Sequence, residues 1–282
     1  MKKVVWITRA SLLLGRIASS LYQRLVWGAN GQRLNNFILH LALKVRGFNN
    51  FSDMIATGEA KFLELLSNTR PLLCVDIGAN VGTYSKALIG STKATIFAFE
   101  PLPDAYLELE TLRQQFPERI RTFQLALGNN KEISTLYFGD SKSVFASLSN
   151  EVNQIDYVGS SNTFKMDVQV EKLDSFLGAL KSVAEEIDFL KIDVEGFEFE
   201  VLQGAQNVLL EMRPKFVQLE FNFHQLFRGQ SLFSLSQLLP GYRVFQLMPS
   251  RAGMVERDAK DPLTNIYIYS NFVFVRDDIE LP

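Results

Sequence analysis

From residue 72 onward, the chain alternates short apolar runs with longer amphipathic stretches. Leu72–Asp76 is a continuous apolar run that ends in an acidic residue, which is typical of a buried strand in a parallel sheet. The same pattern predicts strands over Thr95–Glu100, Arg121–Leu127, Phe189–Asp193 and Phe216–Phe221. The intervening stretches predict helices over Tyr84–Leu88, Asp104–Gln115, Phe197–Leu210 and Leu232–Leu239. This alternation predicts an α/β fold with right-handed crossovers, which is a doubly wound sheet.

Two parts of this region break the alternation. Glu132–Phe138 and Phe164–Val170 are predicted to be extended segments on either side of a polar region. Near the C-terminus, Tyr242–Met248 and Asn271–Val275 are predicted to be strands with no helix between them. An antiparallel strand at the edge of the sheet accounts for that ending.

The N-terminal part of the chain has a helical pattern. Helices are predicted over residues 4–27, 35–45 and 51–67. Lys2, Arg9 and Arg16 recur every seven residues and form a basic stripe on the first helix. We therefore expect residues 1–70 to be a helical extension of a domain that covers residues 71–282. The first helix either lies on an anionic membrane face or caps the domain with a solvated basic edge.

The net charge of −2 hides an uneven distribution along the 282 residues. Residues 1–50 carry eight basic side chains and no acidic one, whereas the remaining residues carry 21 basic and 31 acidic side chains. The overall balance gives no indication of nucleic-acid binding. A basic end on an acidic body indicates an anionic surface as a partner.

Cys74 is the only cysteine, which excludes an intrachain disulfide and a cysteine-rich metal site. No stretch reaches the roughly 18 uninterrupted apolar residues that a membrane-spanning helix requires. No small-residue cleavage site follows the N-terminal apolar run cleanly. We expect a cytoplasmic protein, peripheral to the inner membrane face if its basic helix binds lipid.

The first predicted strand runs into a glycine-containing turn and then a helix. Gly78 and Gly82 allow close approach of a ligand, and Asp76 ends the strand where open α/β sheets bind ligands. Their G-x-x-x-G spacing differs from the dinucleotide pattern G-x-G-x-x-G and favours a cofactor without a pyrophosphate. Glu100 follows Gly78 by 22 residues, where a carboxylate accepts hydrogen bonds from a ribose diol. Ala126 ends the third strand, beside the expected adenine edge. Alternatively, Glu100 is only an acidic residue at the N-terminus of the next helix.

Further polar side chains follow the last two buried strands. Asp193 and Glu195 come after one strand, and Glu220, Asn222 and His224 end the next. We expect Asp193 to contact an acceptor hydroxyl or the cofactor's amino group, and Asp193 and His224, in that order, are the candidate general bases. Glu195 is either a third site residue or a helix cap. The oxygen ligands here suit magnesium, but their spacing does not place them on one ion, so a metal is not predicted.

Six segments together identify the family that the sequence resembles. They are VDIGANVGTYS (75–85), FAFEPLPDAY (97–106), LALGN (125–129), VEKLDSFL (170–177), IDFLKIDVEGFEFEVLQGA (187–205) and QLEFN (218–222). With them the sequence resembles the FkbM-like methyltransferases over roughly Leu72–Met248. The resemblance implies a Rossmann-like seven-strand methyltransferase sheet and S-adenosylmethionine-dependent methylation of a hydroxyl oxygen.

By this resemblance, the cofactor contacts are Asp76, Gly78, Asn80, Glu100 and Ala126, whereas Asp193 and Glu195 line the acceptor side. Acceptors in such families are often sugars in bacterial glycans or glycosylated natural products, and a lipid-linked acceptor suits a membrane-facing basic helix. The alternatives are an NAD-dependent oxidoreductase on the same architecture and a non-catalytic cofactor-binding module. The sequence does not identify the acceptor, the methylated position or the oligomeric state.

Overall fold

The structure is a computed structural model that describes residues 9–139, 146–249 and 253–281. The chain forms two compact units and passes from one to the other between Arg46 and Gly47. Residues 47–70, which the sequence pattern assigned to the N-terminal extension, belong to the second unit. None of the helices in the described residues is long and apolar enough to span a membrane.

The N-terminal unit contains two helices, α1 (Arg9–Val26) and α2 (Ala29–Val45). The first predicted helix is confirmed from Arg9 onward, and its earlier residues lie outside the described part of the chain. A glycine allows the chain to fold back between the helices, because a Cβ on Gly31 would lie only 2.5 Å from the Cα of Val26. The second helix starts earlier than the pattern predicted.

The second unit is built from eleven strands and nine helices within its described residues. Its strands are β1 (Leu73–Ile77), β2 (Thr95–Phe99), β3 (Ile120–Phe123), β4 (Ala126–Leu127), β5 (Glu132–Phe138), β6 (Phe164–Glu171), β7 (Phe189–Ile192), β8 (Phe216–Phe221), β9 (Tyr242–Leu247), β10 (Met254–Arg257) and β11 (Ser270–Arg276). Its helices are α3 (Glu59–Asn68), α4 (Thr83–Ser91), α5 (Pro103–Gln115), α6 (Asp156–Ser161), α7 (Leu177–Lys181), α8 (Glu198–Gln203), α9 (Gln206–Glu211), α10 (Phe223–Phe227) and α11 (Leu232–Gln237).

Eight strands form the main sheet, in the order β10-β9-β11-β8-β7-β1-β2-β3. The pairs β1–β2, β2–β3, β1–β7 and β7–β8 are all parallel. The strand order reverses between β1 and β7, so right-handed crossovers place helices on both faces of the sheet. The predicted Rossmann-like doubly wound fold is confirmed, with β10 as a strand beyond the seven expected.

The C-terminal strands differ from the prediction in their placement. Strand β11 is antiparallel as expected, but it lies between β8 and β9 and not at the edge. All seven of its residues are buried, which explains why a central position is favoured. The edge strand is β10, which the sequence pattern did not predict.

The predicted third strand, Arg121–Leu127, divides into two strands in different sheets. Strand β3 ends at Phe123, and β4 pairs with β6 in a second, three-stranded sheet ordered β4-β6-β5. The two strands β5 and β6 confirm the predicted extended segments and pair antiparallel. A separate apolar cluster, which includes Leu136 and Val170, stabilises this small sheet.

Two predicted helices also differ in their extent. The predicted helix 51–67 begins only at Glu59, because Gly58 has a left-handed φ of 84° and Asp53 accepts backbone hydrogen bonds in a turn before it. The predicted helix 197–210 is divided at Gly204, where a Cβ would lie 1.9 Å from the carbonyl oxygen of Gly128.

The main core lies between the parallel strands and three of the helices. Phe62 of α3, Leu88 of α4 and Leu109 of α5 are fully buried against apolar side chains of the sheet. The ring of Phe62 lies 5.2 Å from that of Phe189 in β7. This core holds the carboxyl ends of the central strands in a fixed arrangement.

Candidate active site

A cavity of about 870 Å³ opens at the carboxyl ends of the central strands. Its volume is near the upper end of the range of small-molecule sites, roughly 300–1,000 Å³. It is lined by residues that follow β1, β2, β7 and β8, which is the place where open α/β sheets bind ligands. Six of the predicted site residues line it, namely Gly78, Asn80, Glu100, Ala126, Asp193 and Glu195.

The glycine turn after β1 brings two strand ends together. Gly78 has a φ of 79°, and a Cβ there would lie 1.8 Å from the backbone oxygen of Asp193. Only glycine therefore allows the β1 turn to lie against the end of β7. Gly82 also has a positive φ, but its missing Cβ makes room for Leu109 of α5 and it does not line the cavity.

Asp76 lies below this turn and is fully buried. Its Oδ2 atom accepts a hydrogen bond of 2.7 Å from the hydroxyl of Ser85 in α4, and burial raises the pKa of its carboxyl group. Asp76 is not among the residues that line the cavity. Its geometry joins β1 to α4 and thereby supports the turn.

Glu100 follows β2 and is 5% exposed. One carboxylate oxygen accepts a hydrogen bond from the Asn80 amide and the other from the Leu102 amide, both at 2.8 Å. Burial raises the pKa of Glu100 to about 7, although these two hydrogen bonds oppose the shift. Each oxygen keeps a further lone pair for a ligand hydroxyl. Leu102 is the residue before α5, so Glu100 also contacts the N-terminus of that helix, as the alternative interpretation expected.

An apolar wall lies beside Glu100. Phe99, Pro101, Leu125, Ala126 and Leu127 line this part of the cavity. Such a wall next to a carboxylate fits a flat aromatic base attached to a ribose. Ala126 contributes through the end of β4, in the second sheet, and not through the third strand of the main sheet.

A buried lysine lies beside Asp193 in the lining of the cavity. The Nζ atom of Lys191 lies 2.7 Å from the Oδ2 atom of Asp193, and its side chain is only 7% exposed. Burial by itself would lower the pKa of Lys191, but the carboxylates of Asp193, Asp76 and Glu59 outweigh it and raise the pKa. The Asp193 side chain is 30% exposed and faces the cavity from this ion pair.

Glu195 and His224 form a second close pair. The Oε2 atom of Glu195 lies 2.8 Å from the Nδ1 atom of His224. Burial lowers the pKa of His224 to about 4, whereas burial and the neighbouring Asp193 raise the pKa of Glu195. Both shifts favour the uncharged form of the group. His224 is fully buried and does not line the cavity.

Glu195 does not cap α8, whose N-cap residue is Phe197 and which has no side-chain capping hydrogen bond. The backbone amides of Val194 and Gly196 donate to Oε1 of Glu198, at 3.1 and 3.3 Å. Glu195 itself has a left-handed φ of 54°, and its carbonyl oxygen accepts a hydrogen bond from Ser147. This arrangement leaves the Glu195 side chain in the cavity.

Carboxylates from two strands converge at this end of the site. Asp193, Glu195 and Glu220 each contribute one carboxyl oxygen, and these three oxygens all lie within 4.8 Å of one another. Glu220 also accepts a hydrogen bond of 2.5 Å from the side chain of Asn222. Burial raises the pKa of Glu220, and the nearby Asp193 and Glu195 carboxyls add to the shift.

Several cavity residues were not predicted from the sequence. The signal for Lys191 was present, because a lysine in a fully buried strand requires carboxylate partners. Glu59 hydrogen-bonds to Gln218 at 2.7 Å and lines the cavity from α3. Phe51, Tyr267 and Tyr269 also line it, and no local motif marks them as site residues.

Comparison with known proteins agrees with this geometry. The family profile described as the methyltransferase FkbM domain matches residues 76–246. The 2-O-methyltransferase NoeI of Sinorhizobium fredii is 25% identical over 198 residues, which cover 67% of this chain and 79% of that protein. The hexuronic acid methyltransferase AglP of Haloferax volcanii is 32% identical over 136 residues, covering 48% of this chain and 50% of that one.

A solved structure is also similar. The precorrin-6y C5,15-methyltransferase of Geobacter metallireducens is 12% identical, with a TM-score of 0.42. The match covers 83% of this chain and 95% of that one.

Proposed function

The chain belongs to the FkbM methyltransferase domain family and is an S-adenosylmethionine-dependent methyltransferase, and on this premise we propose that it methylates a hydroxyl oxygen of a sugar in a glycan or glycosylated natural product. The relatives described above are named for 2-O-methylation and for methylation of a hexuronic acid. The observation that carries the proposal is one cavity with the carboxyl group of Glu100 at one end and those of Asp193, Glu195 and Glu220 at the other.

The cavity has the chemistry that S-adenosylmethionine requires. Glu100 keeps lone pairs for the ribose hydroxyls, and the wall formed by Phe99, Pro101 and Leu125–Leu127 suits the adenine. Carboxylates at the other end suit the positive charge of the sulfonium and amino groups. Asn80 and Gly78 line the turn between these two ends.

The bound cofactor supplies a methyl group that its sulfonium has already activated. The chain must hold the acceptor oxygen in line with that methyl group, and such positioning contributes several kcal/mol. The acceptor hydroxyl would lose its proton when it takes the methyl group, and a carboxylate of this chain would receive that proton. Asp193 takes this role, because its side chain faces the cavity and Lys191 holds it in place.

Glu195 and His224 act together in this proposal. His224 does not touch the cavity, so it holds Glu195 in position through the 2.8 Å contact with Nδ1. Glu195 then orients the acceptor hydroxyl towards Asp193. Asp193→Asn is expected to lower kcat about 10²–10⁴-fold, while His224→Gln is expected to change the pH profile through Glu195 with a smaller loss.

Calorimetric titration with S-adenosylmethionine tests the cofactor assignment. We expect tight binding to the wild-type chain, at least tenfold weaker binding to Glu100→Ala, and unchanged binding to Glu118→Ala, which changes an exposed glutamate. NAD serves as the control for the oxidoreductase alternative. Preference for NAD, or equal binding by all three proteins, would refute the assignment. Transfer of a labelled methyl group to a sugar separates an enzyme from a non-catalytic binding module.

A divalent metal is not required by this arrangement. The ammonium of Lys191 already offsets negative charge at the carboxylate cluster. Turnover is therefore expected to survive a chelator. Loss of turnover with the chelator, followed by recovery with magnesium, would instead assign an ion to Asp193, Glu195 and Glu220.

The N-terminal unit is suited to contact with an anionic membrane surface, where a lipid-linked sugar would be presented. Leu25 and Trp27 are each 79% exposed, and Val45 of α2 is 77% exposed. Exposed apolar side chains of this size, with Arg16 and Arg24 on the same helix, match an interfacial helix.

Sedimentation with vesicles tests this membrane contact. We expect the full chain to bind phosphatidylglycerol vesicles in a salt-dependent manner and phosphatidylcholine vesicles weakly. A chain that begins at Gly47 is expected to bind neither. Equal binding by the full and shortened chains would refute the proposal.

A further inference from the structure

The acceptor end of the cavity is closed by two segments outside the matched family domain. Phe51, Met54 and Glu59 precede that domain, and Tyr267 and Tyr269 follow it. The segments are joined directly, because the amide of Asn49 donates a hydrogen bond of 2.8 Å to the carbonyl oxygen of Tyr269. This wall therefore lies outside the residues that the family profile matches.

Aromatic rings form the rim of this wall. The ring of Phe51 is 67% exposed and lies 6.1 Å from that of Tyr269 in an edge-to-face arrangement. Tyr267 is fixed by a hydrogen bond from its hydroxyl to the carbonyl oxygen of Gln230 and by the neighbouring ring of Phe221. Rigid rings at a cavity mouth offer a flat apolar surface to the carbon-bound hydrogens of a sugar ring.

The ionisable side chains around the acceptor end are almost all carboxyl groups. Glu59, Asp193, Glu195 and Glu220 line this end, and Lys191 is the only lysine or arginine among the described residues that line the cavity. Lys191 is already paired with Asp193 at 2.7 Å. An anionic group on the acceptor would lose its hydration here without a cationic partner, which is unfavourable.

We infer that this chamber binds a sugar ring that carries no carboxylate or phosphate, so that a neutral or amino-substituted ring is selected over a uronate. The inference rests on the proposed sugar methylation and adds the charge class of the acceptor. An ammonium substituent would find hydrogen-bond acceptors among the same carboxyl groups, whereas an anion would find no unpaired cation. The relative named for a hexuronic acid would then differ from this chain in acceptor charge.

The experiment measures binding of three probes to the protein saturated with S-adenosylhomocysteine. Methyl glucoside, methyl glucosaminide and methyl glucuronide are compared by ligand-observed NMR. The expected result is binding of the first two, with the glucuronide at least tenfold weaker. A glucuronide that binds as tightly as the glucoside overturns the inference, and so does binding of none of the three.

Variants test the two parts of the wall separately. Glu59→Gln is expected to raise the affinity for the glucuronide severalfold and leave that for the glucoside unchanged, with Glu220→Gln as the second test of charge. Phe51→Ala is expected to weaken the binding of all three probes. Phe164→Ala changes another exposed ring, which does not line the cavity, and is expected to leave their binding unchanged. Unchanged discrimination in both glutamine variants overturns the role of charge.

Binding of S-adenosylhomocysteine is measured in every variant as well. Normal binding of this product shows that the fold and the cofactor end are intact, so a failure among the sugars concerns only the acceptor inference. If the wild-type chain does not bind the product, the proposed function fails instead.

Discussion

Lys191 supplies the positive charge that allows several carboxyl groups of the site to be buried close together. Its ammonium is buried between Asp193, Asp76 and Glu59, and it also lies 5.2 Å from the ring centroid of Tyr84. Without this cation, three acidic groups would be buried close together with no positive partner. The residue therefore affects both the stability of the fold and the position of the proposed base.

Replacing Lys191 tests this role. Lys191→Met is expected to lower the free energy of unfolding by about 3–5 kcal/mol, because it leaves a buried carboxylate uncompensated. The double variant Lys191→Met/Asp193→Asn is expected to lose less, since both partners of the pair are removed. Urea unfolding measures both values, and Lys93→Met at an exposed lysine is the control. Equal stability of Lys191→Met and the control would contradict the prediction.

Glu100 is expected to make the stability of the protein depend on pH. Its pKa rises from 4.5 to about 7 in the folded protein, so the folded state holds a proton that the unfolded state has already released. The contribution of Glu100 to the free energy of unfolding is therefore greatest below pH 4.5. It is lost as the pH rises towards 7. The loss amounts to about 3 kcal/mol.

The comparison with Glu100→Gln isolates this effect, because glutamine does not ionise. The difference in free energy of unfolding between wild type and variant is expected to change across this pH range. Urea unfolding at several pH values measures it. A difference that is constant with pH would show that Glu100 titrates normally.

At the scale of elements, the turn between β1 and α4 allows no side chain at Gly78. A Cβ there would lie 1.8 Å from the carbonyl oxygen of Asp193, and the φ of 79° is unfavourable for other residues. Gly90, inside α4, has nothing within 4 Å of the same position. These two glycines therefore have opposite structural requirements.

Alanine at each position tests the difference. Gly78→Ala is expected to destabilise the protein by at least about 1–3 kcal/mol and to displace Asp193, with loss of methyl transfer. Gly90→Ala is expected to stabilise it by up to about 1 kcal/mol, because alanine favours helix. Thermal unfolding and a methyl-transfer assay measure both. Similar effects of the two substitutions would contradict the assigned geometry.

At the scale of the whole molecule, the structure places the division of the chain at Arg46 and not at residue 70. Helix α3 contributes Phe62 and Leu66, both almost fully buried, to the core of the second unit. Removing large core side chains costs about 2–5 kcal/mol each. A chain without α3 therefore lacks part of its main core.

Two shortened chains test this division. The chain that begins at Gly47 is expected to unfold at a temperature close to that of the full chain. The chain that begins at Pro71 is expected to unfold at a much lower temperature or to remain unfolded. Circular dichroism on heating measures both, and equal stability of the two shortened chains would restore the boundary at residue 70.

The sequence by itself determined the parallel strands, the glycine turn, the family and the position of Glu100. These features depend on local patterns, since a buried strand, a tight turn and a strand end are all encoded within a few neighbouring residues. The expectation that Gly78, Glu100 and Asp193 belong to one site also follows from local information, because parallel strands share their carboxyl edge.

Only the tertiary structure decided which side chains reach the cavity. Asp76 and His224 lie in the predicted segments but are buried behind the site, whereas Phe51, Glu59 and Tyr269 come from segments that no site motif marks. Their positions depend on how distant elements pack, including the insertion of β11 between β8 and β9. Contacts between residues far apart in the chain follow from the order of the sheet, and no local periodicity encodes that order.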